Sequence, residues 1–212
     1  FLTTTFCTFK RILIQYAPAL MEAQSAFLEA QGIFDHSDFY QRRGWKKEHE
    51  TKDGYAVYSK NSNKGRIFTI SEIVEASAAD ILRDSWRNNN PLMASEVIAN
   101  LSDHAAVIRV GNAMNRQMTV ARIFRSVEMS SASDGYIVAF KTVNLPDQPT
   151  NTAGMPTLHL GAIRLRPDPV GGGRARTFVD VVIILDLTGV ADRAYAQQTA
   201  SSMLTMLSEQ AG

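Results

Sequence analysis

Hydrophobic positions along this chain follow two periods, and the segments that carry them alternate in a definite order. From about Ile12 to Ala30, Leu13, Ala17, Leu20, Met21, Phe27 and Leu28 recur at spacings of three and four. That is the pattern of an amphipathic helix, and Gly32 supplies a natural stop. The runs "GYAVYSK" (54–60) and "GRIFTISEIVE" (65–75) then read as strands joined by the hairpin connector "NSNKG". In "SAADILRDSWRNNN" a second helix is expected. Ser77 serves as N-cap with Asp80 three residues on, Ile81, Leu82 and Trp86 form its apolar stripe, and Asn88 to Pro91 ends it.

Six strand-like runs follow: "SEVIANL", "HAAVIRV", "MTVARIFRSVE", "GYIVAFKTV", "LHLGAIRLRP" and "RTFVDVVIILDL". The proline-rich "NLPDQPTNTAGMPT" (144–157) is an irregular excursion between the fourth and fifth. From Val190 to about Gln210 a long helix is expected, with Ala194, Tyr195, Thr199, Met203 and Leu207 along or near one stripe. The order is helix, two strands, helix, six strands, long helix. It implies an α+β domain with a large antiparallel sheet and a helix at each end.

Two strands raise a question about the inside of this domain. In Met118 to Glu128, Val120, Arg122, Phe124 and Ser126 share one face, while Ala121, Ile123, Arg125 and Val127 share the other. Each face is mostly apolar and carries one arginine. In Thr177 to Leu187, Val179, Val181, Ile183 and Leu185 make a purely aliphatic face. Thr199, Met203 and Leu207, four apart each time, share a stripe on the last helix. These surfaces suit a packed core stripe or the wall of a cavity, and periodicity alone leaves both open.

Composition narrows the classes of function. The 212 residues include 45% hydrophobic and 20% charged, with 22 basic and 21 acidic side chains. That is enough chain for a sizeable core, and the balanced charge supplies no bulk attraction for nucleic acid. The single cysteine, Cys7, excludes an internal disulfide framework and fits a reducing compartment. A start at Phe1 is expected of an excised or processed chain, and no apolar run is long enough to span a bilayer.

Candidate chemistry is sparse. His36, His49, His104 and His159 sit at no metal-ligand spacing, and no nucleophile-elbow, dinucleotide or phosphate-loop motif occurs. The "VGGG" stretch (170–173) opens no helix. Asp180 and Asp186 share a strand face, but six residues at about 3.3 Å each separate them by roughly 20 Å. They are expected to be solvent-facing strand acids.

Several segments, in order, resemble the START domain, the lipid-transfer domain named after steroidogenic acute regulatory protein. They are "GWKKEHETKDGYAVYSK", "GRIFTISEIVE", "NNPLMASEV", "RQMTVARIFRS", "LGAIRL" and "DLTGV" followed by "QQTASSMLTML". The resemblance runs from Gly44 to Gln210. It departs from the family pattern at Asn89, where tryptophan is frequent, at Gln117, which replaces an aspartate, and at "VADRA", which lacks a proline.

The resemblance implies a helix-grip fold: a curved antiparallel sheet wrapped around a long C-terminal helix, enclosing a tunnel for one lipid. Residues 44–212 would form the lipid-binding domain, with 1–43 an N-terminal helix and lead-in packed on it. It implies non-catalytic binding and transfer, or sensing, of a sterol, phospholipid or sphingolipid, gated by the C-terminal helix and nearby loops. Arg122, Val120, Phe124, Val181, Ile183, Tyr195, Thr199, Met203 and Leu207 are then the expected lining. Gly161, Ile163 and Arg164 match a segment that supports the fold. Sterol-type members pair the inner arginine with an acid, for which Asp103 is the candidate here, although it falls in an expected turn. No metal or cofactor is expected. The expected partners are the lipid and a membrane touched transiently, with no nucleic acid. The expected state is a cytoplasmic monomer, at most peripheral to membranes. The rival readings are a helix-grip enzyme of cyclase or dehydratase type, using His159 with an aspartate or Tyr136, and a ligand-sensing interaction domain.

Overall fold

Among the described residues one antiparallel sheet of nine strands forms, eight of them from the segments that period-two alternation marks. The computed structural model describes residues 2–50, 54–87, 95–111, 117–128, 135–145, 157–169 and 175–186. The elements in chain order are α1 (Leu2–Asp35), α2 (Ser37–Gln41), β1 (Lys46–Glu50), β2 (Ala56–Ser62), β3 (Gly65–Val74), α3 (Ala78–Arg87), β4 (Ser95–Ser102), β5 (Ala105–Gly111), β6 (Gln117–Val127), β7 (Gly135–Thr142), β8 (Thr157–Pro167) and β9 (Thr177–Asp186). Their order in the sheet is β1-β2-β3-β9-β8-β7-β6-β5-β4. Two antiparallel runs, β1 to β3 and β4 to β9, therefore meet where β9 pairs with β3 from Arg66↔Leu185 to Val74↔Thr177. The segment "KKEHE" adds a third strand before α3 to the two that alternation marks.

The sheet has two covered faces, and alternation assigns each residue to one of them. On one face, Ala78, Ile81, Leu82 and Trp86 of α3 belong to one apolar cluster with Phe68, Ile70, Val120, Val138, Val181 and Ile183 of the sheet. On the other, α1 packs against Val107, Ala121, Ile123, Ala139, Leu160, Ala162, Val182 and Ile184. α3 begins as expected: Ser77 Oγ accepts a hydrogen bond from the Asp80 backbone N–H at 3.1 Å and donates to the Asp80 carboxylate at 2.5 Å. This bond and Arg83 beside it hold the Asp80 carboxyl below its ordinary range.

α1 corrects the expectation in both length and face. It runs through Pro18 and Gly32 to Asp35, and its buried residues are Ala19, Ala23, Ala26, Phe27, Ala30 and Phe34. Met21 and Leu28, expected in the core, are 71% and 62% exposed. The physical reason is close approach. A stripe of alanines at spacings of three and four lets the helix lie directly on strands that themselves present Ala105, Ala121, Ala139 and Ala162. Pro18 faces solvent, where water can satisfy the carbonyl that a proline leaves without its helical donor.

A buried polar network fastens the end of α1 to β3, β8 and β9. Asp180, expected at the surface, is 1% exposed. It accepts hydrogen bonds from Tyr40 Oη at 3.1 Å, Ser71 Oγ at 2.7 Å and Arg166 Nε at 3.2 Å, with Arg164 Nε 3.7 Å away. Arg164 also donates to the Phe34 carbonyl at 2.9 Å and to Asp35 at 3.2 Å. Burial lowers the Arg164 and Arg42 guanidinium pKa values, and the Asp180 charge opposes that shift at both. Arg42 caps α2 at φ +52°, a conformation unusual outside glycine. It is held there by a 2.7 Å bond to Ser71 and by stacking over Phe39 and Tyr58, 4.6 and 5.0 Å from their ring centres.

Candidate functional site

The α3 face of the sheet is the candidate site, and strand register defines its floor. One row across it reads Ala106, Arg122, Phe140, Gly161, Ile183 and Phe68, on β5, β6, β7, β8, β9 and β3. The adjoining row reads Phe124, Val138, Ile163, Val181 and Ile70. Gly161 is there because the Phe140 ring lies over it: a Cβ at this position would stand 2.1 Å from Phe140 Cε2. Phe140 can therefore lie along the sheet.

Arg122 interrupts this apolar floor. Its Nη donates to the Trp86 carbonyl at 3.0 Å, and its guanidinium lies 4.0 Å from the centre of the Trp86 ring. Trp86 stands in the last turn of α3, where backbone carbonyls have no helical donor and carry partial negative charge. Arg122 thus caps α3 from below. Its Nε is buried and has no hydrogen-bond partner among the described residues. Burial alone lowers its pKa, to about 10.

Beyond Arg122 the aromatic side chains continue. Phe124 meets the Trp86 ring edge-on at 4.7 Å and stacks on His104 at 4.9 Å. Leu82, Trp86, Phe124 and Tyr136, with Arg83 and Asp103 at its rim, line a cleft of about 270 Å³.

No protein-family model matches the sequence. Steroidogenic acute regulatory-like protein 1 of Caenorhabditis elegans is 28% identical over 206 residues, covering 91% of this chain and 77% of that protein. Human StAR-related lipid transfer protein 5 superposes with a TM-score of 0.68 at 15% identity, over 92% of this chain and 97% of its own. The chain folds as a START domain. A second START structure, the human StarD13 (DLC2) lipid transfer and protein localization domain, superposes at 0.61 and 13% identity, over 87% of this chain and 94% of its own.

The START fold places the expected lining residues as follows. Val120, Arg122, Phe124, Val181 and Ile183 all stand on the α3 face. Arg125 is exposed on the opposite face, its guanidinium 6.0 Å from the Phe27 ring centre on α1. Tyr195, Thr199, Met203 and Leu207 lie outside the described residues. Gly161 and Ile163 belong to the floor, whereas Arg164 belongs to the α1 face and its polar network. Asp103 sits exposed in the β4–β5 turn and exerts no resolved influence on Arg122.

Trp86 belongs to the candidate site through Arg122, whereas its spacing in the sequence marks it only as helix stripe. Its spacing from Ile81 and Leu82 placed it on the apolar face, but its pairing with Arg122 crosses 36 residues of chain. The proposed acid–base pairing of His159 with Tyr136 is not assembled. His159 is the extra residue of a bulge near the start of β8, whereas Tyr136 pairs with Leu165 near its end, about 20 Å further along the strand. Among the described residues no group of histidine, cysteine, aspartate or glutamate could hold a metal ion. No described helix is long and apolar enough to cross a membrane.

Proposed function

We propose that this START domain binds a single lipid over its α3 face and transfers or senses it without catalysis. The observation that carries the reading is the pair of aliphatic and aromatic rows, from Ala106 to Phe68 and from Phe124 to Ile70, that the desolvated guanidinium of Arg122 interrupts. Such a surface holds hydrocarbon by removing it from water, about 25 cal/mol per Å². A polar group within it fixes the ligand's orientation, because a buried donor without a partner is costly. The lipid-transfer names of the structural relatives support the same reading.

In this reading Val120, Phe124, Val181 and Ile183 contact the hydrocarbon and Arg122 the head. Tyr195, Thr199, Met203 and Leu207 close the site from the C-terminal segment, which opens with the nearby loops during a transient membrane contact. The domain comprises residues 44–212 with 1–43 packed on it, and it works as a cytoplasmic monomer. The test is uptake by delipidated protein of fluorescent sterol, phosphatidylcholine, ceramide or fatty acid, with native mass spectrometry for stoichiometry. Saturable uptake of one molecule per chain is expected. Failure to take up any of the four classes overturns the reading.

A further inference from the structure

The surroundings of Arg122 specify the chemistry of the head group. A guanidinium has five N–H donors and a charge that never disappears at neutral pH. Here one donor serves the Trp86 carbonyl, and the Trp86 ring covers the guanidinium plane without using the donors at its edge. The neighbours across the register are Ala106 on β5 and Phe140 on β7, and neither is charged. α3 brings Leu82 and Trp86 from above, while Arg83 sits at the rim of the adjoining cleft with His104 and Asp103 beyond Phe124. No described carboxylate balances the charge, and Nε is buried without an acceptor among the described residues. The helix-end carbonyl offsets only part of a full positive charge.

We propose that Arg122 anchors an anionic head group, a carboxylate or phosphate, in preference to a neutral hydroxyl. An anionic oxygen pair engages the free edge of the guanidinium through two parallel bonds and also neutralises it. A hydroxyl satisfies one N–H and leaves the charge unbalanced. The inference rests on the lipid-binding reading and adds to it the class of ligand.

The test compares oleate with oleyl alcohol, which share a hydrocarbon chain and differ in head group. Binding to the delipidated full chain is measured by calorimetry at pH 7.5, with phosphatidate against diacylglycerol as the phosphate arm. At least one anionic ligand is expected to bind about tenfold or more tightly than its neutral counterpart. R122M should cost the anionic ligand far more than its neutral counterpart and bring the two to similar affinity, and R122K should keep part of the preference. Because burial lowers the Arg122 pKa to about 10, the wild-type preference should hold up to that pH and weaken above it. Thermal denaturation of each variant checks that it is folded, and R122K carries the comparison where R122M is not. Equal affinities in both pairs overturn the proposal, as does an equal loss for both heads in the variants. If the chain takes up sterol or ceramide but neither anionic ligand, this proposal falls and lipid binding stands. If it takes up no lipid of any class, both fall.

Discussion

Gly161 and Phe140 show how much of this site depends on a missing side chain. The Phe140 ring occupies the space that a Cβ at 161 would need, with three ring carbons between 2.1 and 2.6 Å from it. Either the ring or the backbone of β8 must move if a methyl group is added. Overpacking of this kind costs about 1–3 kcal/mol. G161A should therefore lower the melting temperature, and F140L in the same chain should restore part of the loss because it removes the clashing atoms. Denaturant melts of both single variants and the double check this. Strict additivity would show that ring and glycine do not contact. The glycine was visible in the sequence within "LGAIRL", but the ring that requires it comes from the neighbouring strand.

Among the elements, α1 separates bulk from burial. Leu28 and Met21 carry more apolar surface than Ala23, yet Ala23 is fully buried and they are not. What counts is distance to the sheet, and alanine permits the shortest. A23L should cost about 1–3 kcal/mol by forcing the helix away from the sheet. M21Q, at an exposed position of similar helix propensity, should change stability by no more than about 0.5 kcal/mol. Comparable losses from both would mean that α1 packs by its bulky stripe instead. α3 presents the opposite case: its N-cap, its stripe and its length were all legible from Ser77 to Trp86, because each depends on residues within two turns. Its last turn was legible as a helix end but not as the acceptor for Arg122.

Across the whole molecule, the polar network around Asp180 ties the N-terminal helices to the centre of the sheet. Asp180 faces Tyr40, Ser71, Arg164 and Arg166, which come from three elements, α2, β3 and β8. Replacing it leaves Arg164, 5% exposed, with less compensation for its charge. D180A should therefore cost about 3–5 kcal/mol, the range for breaking a buried ion pair by removing one partner. Adding R164M should recover part of the loss. Hydrogen exchange over α2 and the last turns of α1 should rise in D180A, since these are the segments the network holds. An unchanged exchange pattern would assign their docking to the apolar contacts alone.

By itself the sequence determined the strand and helix periods, the capping of α3, the aliphatic face of β9 and the separation of Arg122 from Arg125 on β6. Each follows from residues close together in the chain, where backbone geometry converts spacing directly into a face. Only tertiary structure decided what lies against each face. It placed alanines rather than leucines of α1 on the sheet, buried Asp180 among arginines, and gave Arg122 a helix-end carbonyl in place of an acid. Periodicity states which side chains share a surface. What covers that surface depends on contacts made across dozens or more than a hundred residues, and there the closest packing and the balance of buried charge decide.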